Sequence, residues 1–251
     1  MYNSFITSLQ EIAQNHKVIN HPYLIKLEGG FFPNIKNVIK DFMFQYYAYS
    51  ENFVRCLVAT IAHLDNVKHR QALLDNLFEE AGHLREEDID QLIKHNIDPK
   101  WVDGFTHVAL FRRFLDGVGM DEQFRKKAVY SDEAIRWKNM FFALCSQYGP
   151  EQALGAIGLG TENIVKHIYR HILTAIARFM PEISTAQRVI FDLHTIIDDR
   201  HGEILTNITA DYAAVGKINR LQIKEGMLIS LNLRHNFFDA MQKRAETHFT
   251  T

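Results

Sequence analysis

The chain has 251 residues, of which 47% are hydrophobic and 23% are charged, a composition typical of globular proteins. Its formal net charge is −2, so no basic excess points to a nucleic acid or to an anionic membrane surface as a partner. Nucleic-acid binding and membrane association are therefore not expected.

The N-terminal half has the apolar periodicity of helices. Helices are predicted over residues 3–16, 33–64 (as one helix or two), 66–82 and 85–96, with a connector at 21–30. The first residues form an amphipathic pattern rather than a secretory signal, and no uncharged apolar run approaches the roughly 20 residues that cross a bilayer. Cys56 and Cys145 lie far apart in apolar contexts, as reduced thiols of a cytosolic protein do. We expect a soluble, cytoplasmic protein.

The C-terminal half is also helical in pattern. Helices are predicted over residues 107–119, 131–149, 150–179, 185–215 and 223–247, and Thr106 and Ser131 (or Asp132) are suitable N-caps. No alternating strand pattern, fixed-period repeat or low-complexity linker interrupts them. The sequence predicts an all-α protein in which residues 1–251 form a single helical bundle.

The segment "FDLHTIIDDRH" places ionisable residues on an apolar helix face. His194, Asp198 and His201 have i, i+4, i+7 spacing and share a side with Ile190 and Ile197. A buried structural hydrogen-bond group is one interpretation. Because three buried ionisable groups are costly unless something neutralises them, a bound metal ion is the other.

Two upstream glutamates favour the metal. Glu80 lies on the same predicted face as Leu73 and Leu77, whereas Glu79 lies to one side and is interpreted as solvated. Glu162 follows a glycine-rich stretch, "LGAIGLGTE", in which small residues allow close approach of a neighbouring helix. Carboxylates and imidazoles from facing helices are the ligands that helical bundles offer to two metal ions, and this donor set suits iron or manganese.

The order of these residues resembles that of the haem-oxygenase-like di-iron oxidases, the superfamily that also contains TenA-like and PqqC-like proteins and the chlamydial protein associating with death domains. The family pattern is a Glu, a His, a second Glu and then His-x3-Asp-x2-His. Glu80, Glu162, His194, Asp198 and His201 match it. The resemblance covers most of the chain and implies a haem-oxygenase-like (TenA/PqqC-like) helical bundle.

The early histidine of the pattern has two candidates. His107 begins the matching motif "HVALFRRFLDGVG", but 27 residues separate it from Glu80, which predicts an insertion at about 84–105. His83 lies three residues after Glu80, a spacing that other members use. We prefer His107 as the metal ligand and keep His83 as the alternative. The inserted segment is expected near the site, where it would shape access or act as a lid.

The resemblance implies a non-haem di-iron oxidase or oxygenase that activates O2 to oxidise a small amino-acid-like, amine or fatty-acid substrate. Its cofactors would be two Fe ions, with Mn as the alternative metal, and no catalytic residue beyond the metal ligands is assigned. A homodimer is expected. The alternatives are a TenA/PqqC-like enzyme without metal and a helical protein-interaction module.

Overall fold

Helices make up 80% of the protein in the computed structural model, which describes residues 2–196 and 200–249. The α-helices are α1 (Tyr2–Gln14), α2 (Pro22–Gly29), α3 (Ile35–Ser50), α4 (Phe53–His63), α5 (Val67–Glu80), α6 (Glu86–Lys94), α7 (His107–Gly117), α8 (Glu122–Lys127), α9 (Asp132–Ser146), α10 (Pro150–Leu154), α11 (Asn163–Phe179), α12 (Thr185–Ile196), α13 (Arg200–Val215) and α14 (Lys217–His248). A 3₁₀ turn (Pro99–Trp101) precedes α7, and a π-helix (Gly155–Glu162) joins α10 to α11. The prediction of an all-α protein is confirmed.

One predicted connector is a helix. Residues 21–30 contain α2, which begins with Pro22 in the first turn and ends at Gly30 in the left-handed conformation. The imidazole Nδ1 of His21 accepts a hydrogen bond from the Tyr23 amide and caps the helix. Eight residues form few helical hydrogen bonds of their own, so packing of α2 against α11 and α14 stabilises this short helix.

Other boundaries follow the sequence closely. The predicted N-caps Thr106 and Ser131 accept hydrogen bonds from the amides of Ala109 and Ala134. The run 33–64 is two helices, and the last helix begins at Lys217 rather than near Ile223. The predicted helix 185–215 corresponds to α12 and α13, and residues 197–199 between them lie outside the described residues.

Aromatic side chains fill the centre between α3, α9 and α14. Tyr49 stacks on Trp137 with ring centroids 4.0 Å apart, and Phe237 packs against Trp137 at 4.8 Å. Tyr46 contacts both Trp137 and Phe237 edge-on. Such pairs add stabilisation to the area that they bury, and they make a rigid wall on one side of the functional site.

The π-helix lies directly against the backbone of α14. A Cβ atom on Gly155 would overlap the carbonyl oxygen of Ile223, and one on Gly226 would overlap that of Gln152. A Cβ on Gly160 would lie within 3.0 Å of Ser230. Glycine at these positions is thus required by close approach, which fixes the end of the π-helix relative to α14.

The segment 84–105, predicted to be an insertion, contains α6 and the 3₁₀ turn. The amide of Gly104 donates to the carbonyl oxygen of Gly82, so the two ends of the segment meet. Arg113 of α7 donates to the carbonyl of Trp101 and ties the segment to the bundle. In the part of the chain that the structure describes, no helix has both the length and the apolar character needed to cross a membrane.

Candidate metal centre

Three of the candidate ligands meet in one group. Glu80 is the last residue of α5, His107 the first of α7, and His194 lies near the end of α12. One carboxylate oxygen and one ring nitrogen from each histidine all lie within 4.8 Å of one another. The Oε2 atom of Glu80 is 2.9 Å from Nδ1 of His107, and the imidazole rings of His107 and His194 have centroids 4.9 Å apart.

The tautomer of His194 suits a metal ligand. Its Nδ1 atom donates to the carbonyl oxygen of Ile190 over 2.8 Å, which leaves the Nε2 lone pair available. Burial lowers the pKa of His194 to about 4, and the nearby imidazole of His107 acts in the same direction. The ring is therefore neutral at pH 7, as metal binding requires.

Glu80 remains ionised despite its burial. Burial alone would raise the pKa of its carboxyl group, but the facing imidazole of His107 lowers it, to about 2. Carboxylate and imidazole side chains that approach each other this closely form a donor set that a borderline-hard cation such as ferrous iron fits.

Glu162 borders the same space. It is the final residue of the π-helix, is 9% exposed, and lines a cavity together with Glu80, His107 and His194. π-Helical segments occur often at functional sites. Here the segment ends where the glutamate faces the cavity.

His201 lies beside this group, in contact with Glu79. Its Nε2 atom pairs with Oε2 of Glu79, whose other oxygen pairs with Arg85. Burial would lower the pKa of His201, but Glu79 and then Glu162 raise it, to about 9. The interpretation of Glu79 as solvated is wrong: it is 8% exposed, because the end of α5 is covered on two sides, by α13 and by the segment 84–105.

The two candidates for the early histidine lie in different places. His107 faces Glu80 and His194, whereas His83 is exposed and contacts the ring of Phe78. The geometry therefore groups His107, and not His83, with the other candidate ligands. Asp198, the remaining candidate, lies outside the described residues.

A second cluster has the spacing of metal ligands but different hydrogen bonding. His21 and His235 both face Asp239, at 3.3 Å and 3.2 Å. Since Nδ1 of His21 accepts the Tyr23 amide proton, the ring proton is on Nε2, which faces the carboxylate. Neither nitrogen of His21 then has a lone pair for a metal ion, so we interpret this cluster as a polar contact between the N-cap of α2 and α14.

The cavity beside the candidate ligands is narrow, with about 40 Å³ of space, and partly open to solvent; aromatic, apolar and polar side chains line it. The remaining residues that line it are Tyr46, Tyr49, Ser50, Phe53, Thr161, Val165, Tyr169, Ile190 and Arg234. Burial raises the pKa of the Tyr46, Tyr49 and Tyr169 hydroxyls, so all three are neutral. Pockets of this kind bind small molecules, with a few polar groups that orient them.

Neither cysteine reaches the cavity. Cys56 and Cys145 are both free and buried, as predicted, and neither lines the cavity. Burial raises the pKa of the Cys145 thiol, and the neighbouring Cys56 adds to this effect. A nucleophilic thiolate of the kind that a TenA-like thiaminase needs is not found at the site in the described residues.

An all-α fold with glutamate and histidine side chains around one cavity is an arrangement found in helical proteins that bind metal ions. The chain belongs to the family of iron-containing redox enzymes, whose model matches residues 40–235. The resemblance found in the sequence is thereby confirmed. No protein of curated function matches the chain in sequence.

Solved structures share the fold over nearly the full chain. A CADD-like protein of unknown function from Nostoc punctiforme PCC 73102 has a TM-score of 0.73 at 15% identity, covering 97% of this chain and 95% of its own. A TenA homolog from Pseudomonas syringae pv. tomato DC3000 has a TM-score of 0.71 at 10% identity, covering 96% and 93%. A domain of unknown function with a haem-oxygenase-like fold from Shewanella denitrificans OS217 has 0.67 at 17%, covering 96% and 90%. At these identities the likeness concerns the fold alone.

Proposed function

We propose that the chain is a non-haem di-iron oxidase or oxygenase that uses O2 to oxidise a small organic substrate. The observation that carries this proposal is the group of Glu80, which is buried, with His107 and His194, which are partly buried; their donor atoms converge within 4.8 Å at the edge of one cavity. Membership in a family of iron-containing redox enzymes supports iron as the metal.

The ligands divide between two ions. Glu80, His107 and one of the histidines His194 and His201 would hold one iron. Glu162, Asp198 and the other histidine would hold the second, as carboxylates and imidazoles do in other di-metal bundles. Manganese is the alternative metal for the same oxygen and nitrogen ligands.

When bound, the iron pair supplies the electrons and the open coordination positions that O2 activation needs. The protein supplies the environment. Glu80 is held ionised by His107, and the Ile190 carbonyl fixes the His194 ring so that Nε2 faces the group. The side chains of Tyr46, Phe53 and Tyr169 line the cavity with aromatic surface, and a site with few water molecules protects reactive species from side reactions.

The alternatives are less well supported. A metal-free enzyme or an interaction module gives no role to the convergence of Glu80, His107 and His194 on one cavity. The thiaminase alternative also lacks a cysteine at the cavity in the described residues.

Oxygen uptake tests the proposal. Protein loaded anaerobically with Fe(II) is mixed with air-saturated buffer and a panel of amino acids, amines and fatty acids, and O2 consumption is followed with an electrode. The wild type should consume O2 faster than the same amount of free Fe(II), with at least one substrate class accelerating uptake. His194→Ala should lose the effect and His83→Ala should keep it. Equal uptake by the wild type and His194→Ala would refute the proposal.

A further inference from the structure

Arg234 is a buried cation in the wall of the cavity. It lies in the middle of α14 and is 1% exposed. Its guanidinium group packs over the rings of Tyr49 and Trp137, 5.5 Å and 5.4 Å from their centroids. Neighbouring positions on the same helix face, Leu231, Phe237 and Phe238, are apolar and buried.

Its hydrogen-bonding capacity is largely unused. The Nη2 atom donates to the Tyr49 hydroxyl over 3.3 Å. The Nε and Nη1 atoms have no hydrogen-bond partner among the described residues, and no described carboxylate lies within ion-pairing distance of the guanidinium. Because an arginine side chain is always protonated, the cavity wall contains a buried positive charge that forms no ion pair with a carboxylate of the described residues.

Among the described residues, the tyrosines next to the guanidinium carry no negative charge that could pair with it. The three tyrosine hydroxyls nearby are neutral, because burial raises their pKa. Glu80 and Glu162 line the same cavity, but in the proposed function both are neutralised by iron. A buried charge is costly unless it is paired, and such groups are retained where a ligand completes them.

The N–H groups of Arg234 and the residues that line the cavity together determine which ligands the cavity can bind. The planar guanidinium of arginine matches the geometry of a carboxylate. Arg234 is the one lysine or arginine among the described residues that line the cavity, which suits a monoanion better than a phosphate dianion. The apolar and aromatic remainder of the wall suits a hydrocarbon or aromatic body.

We infer that Arg234 is the substrate-anchoring residue of this site and that the substrate is a small organic monocarboxylate with an apolar body, whose carboxylate pairs with the guanidinium. This inference rests on the proposed function and narrows its substrate from amino acids, amines or fatty acids to those that carry a carboxylate. An amine without a carboxylate is thereby excluded as the principal substrate.

Calorimetry with matched probes tests the inference. Hexanoate and hexanamide have the same length and differ in charge, and each is titrated into anaerobic, ferrous-loaded protein. The wild type should bind hexanoate about tenfold or more tightly than hexanamide, because a hydrogen bond to a charged group is among the strong ones. Arg234→Met should abolish this preference, Arg234→Lys should retain part of it, and the exposed control Arg55→Met should leave it unchanged.

Thermal unfolding shows whether the variants are folded. Ligand-free Arg234→Met should melt at the wild-type temperature or above, because the change removes an unpaired buried charge, and hexanoate should no longer raise its melting temperature. If Arg234→Met does not fold, Arg234→Lys and the two probes on the wild type still decide the matter.

Three results would overturn the inference. The first is equal affinity of the wild type for the two probes. The second is hexanoate binding that survives in Arg234→Met. The third is hexanoate binding that needs iron but not Arg234, which would place the carboxylate on the metal. Iron is measured in the same samples. Arg234-dependent hexanoate binding in a wild type that holds no iron would refute the proposed function and leave this inference standing.

Discussion

Glu80, at the end of α5, and His107, at the start of α7, face each other with 2.9 Å between Oε2 and Nδ1. The segment 84–105 connects them along the chain, and its ends are joined by the hydrogen bond from Gly104 to Gly82. The chain can therefore lengthen here without separating the two side chains, since the cost of closing a loop grows slowly with its length.

This relationship predicts which histidine binds iron. His107→Ala should lose one of the two irons, because it removes a donor atom from the group, and His83→Ala should retain both, because that side chain is exposed outside it. Iron per chain, measured by elemental analysis after anaerobic loading and desalting, distinguishes them. Loss of iron from His83→Ala alone would instead select the Glu-x2-His arrangement.

Glu79 is expected to orient His201. Its carboxylate contacts the imidazole and is held from the other side by Arg85. Outer carboxylates that position a ligating histidine typically contribute about 10- to 100-fold to metal affinity. Glu79→Gln should weaken Fe(II) binding by about this factor in a chelator competition, with Glu87→Gln, an exposed neighbour, as the matched control. Unchanged affinity in Glu79→Gln would show that the contact has no such role.

The close approach of the π-helix region to α14 predicts a sharp difference between two glycine substitutions. Gly226→Ala would push a methyl group into the Gln152 carbonyl and should lower the free energy of unfolding by about 1–3 kcal/mol. Gly216→Ala, at the start of α14, meets nothing nearer than 3.5 Å and should change it by less than about 1 kcal/mol. Urea denaturation measures both. Equal stability of the two variants would contradict the packing described here.

The His21 imidazole gives a pH dependence with a defined sign. Burial, followed by the nearby His235, lowers the pKa of His21 from 6.5 to about 4. Between these values the unfolded chain binds more protons than the folded one, so stability is full above pH 6.5 and falls as the pH drops toward 4. At pH 4.5, protonation of His21 in the unfolded chain should have lowered the free energy of unfolding by about 2–3 kcal/mol.

The variant His21→Asn removes the titrating group and keeps a side chain that caps helices well. Between pH 7.5 and pH 4.5 its free energy of unfolding should therefore fall by about 2–3 kcal/mol less than that of the wild type. Urea denaturation at the two pH values measures the difference. If the free energy of unfolding falls equally in both proteins, protonation of His21 does not destabilise the folded state.

The fold and most of the site could be predicted from the sequence because they follow helical periodicity. The apolar face that contains His194 and the phase of Glu80 relative to Leu73 are local properties, and both residues reach the same cavity. The sequence does not predict α2, because tertiary packing and a histidine N-cap, His21, stabilise its eight residues. Helix propensity includes neither of these contributions.

The remaining features depend on contacts between distant segments. The π-helix was not predicted, since a 3.6-residue pattern does not detect one, although the three glycines before Glu162 are a signal of close packing. The prediction of a solvated Glu79 is wrong because helical periodicity assigns one buried face to a helix, whereas the end of α5 is covered on two sides. Arg234 is not among the predicted site residues, although a single arginine in the largely apolar stretch "MLISLNLRHNFF" indicates a buried cation that needs a partner.

The central claim is that separate helices bring carboxylates and imidazoles together to hold a pair of iron ions. Iron per chain after anaerobic ferrous loading tests it most directly, in the wild type and in Glu162→Ala and His194→Ala. We predict two irons per wild-type chain and a clear loss in both variants, whose helical circular dichroism should remain. A wild type that retains no iron, or variants that retain as much as the wild type, would contradict the account.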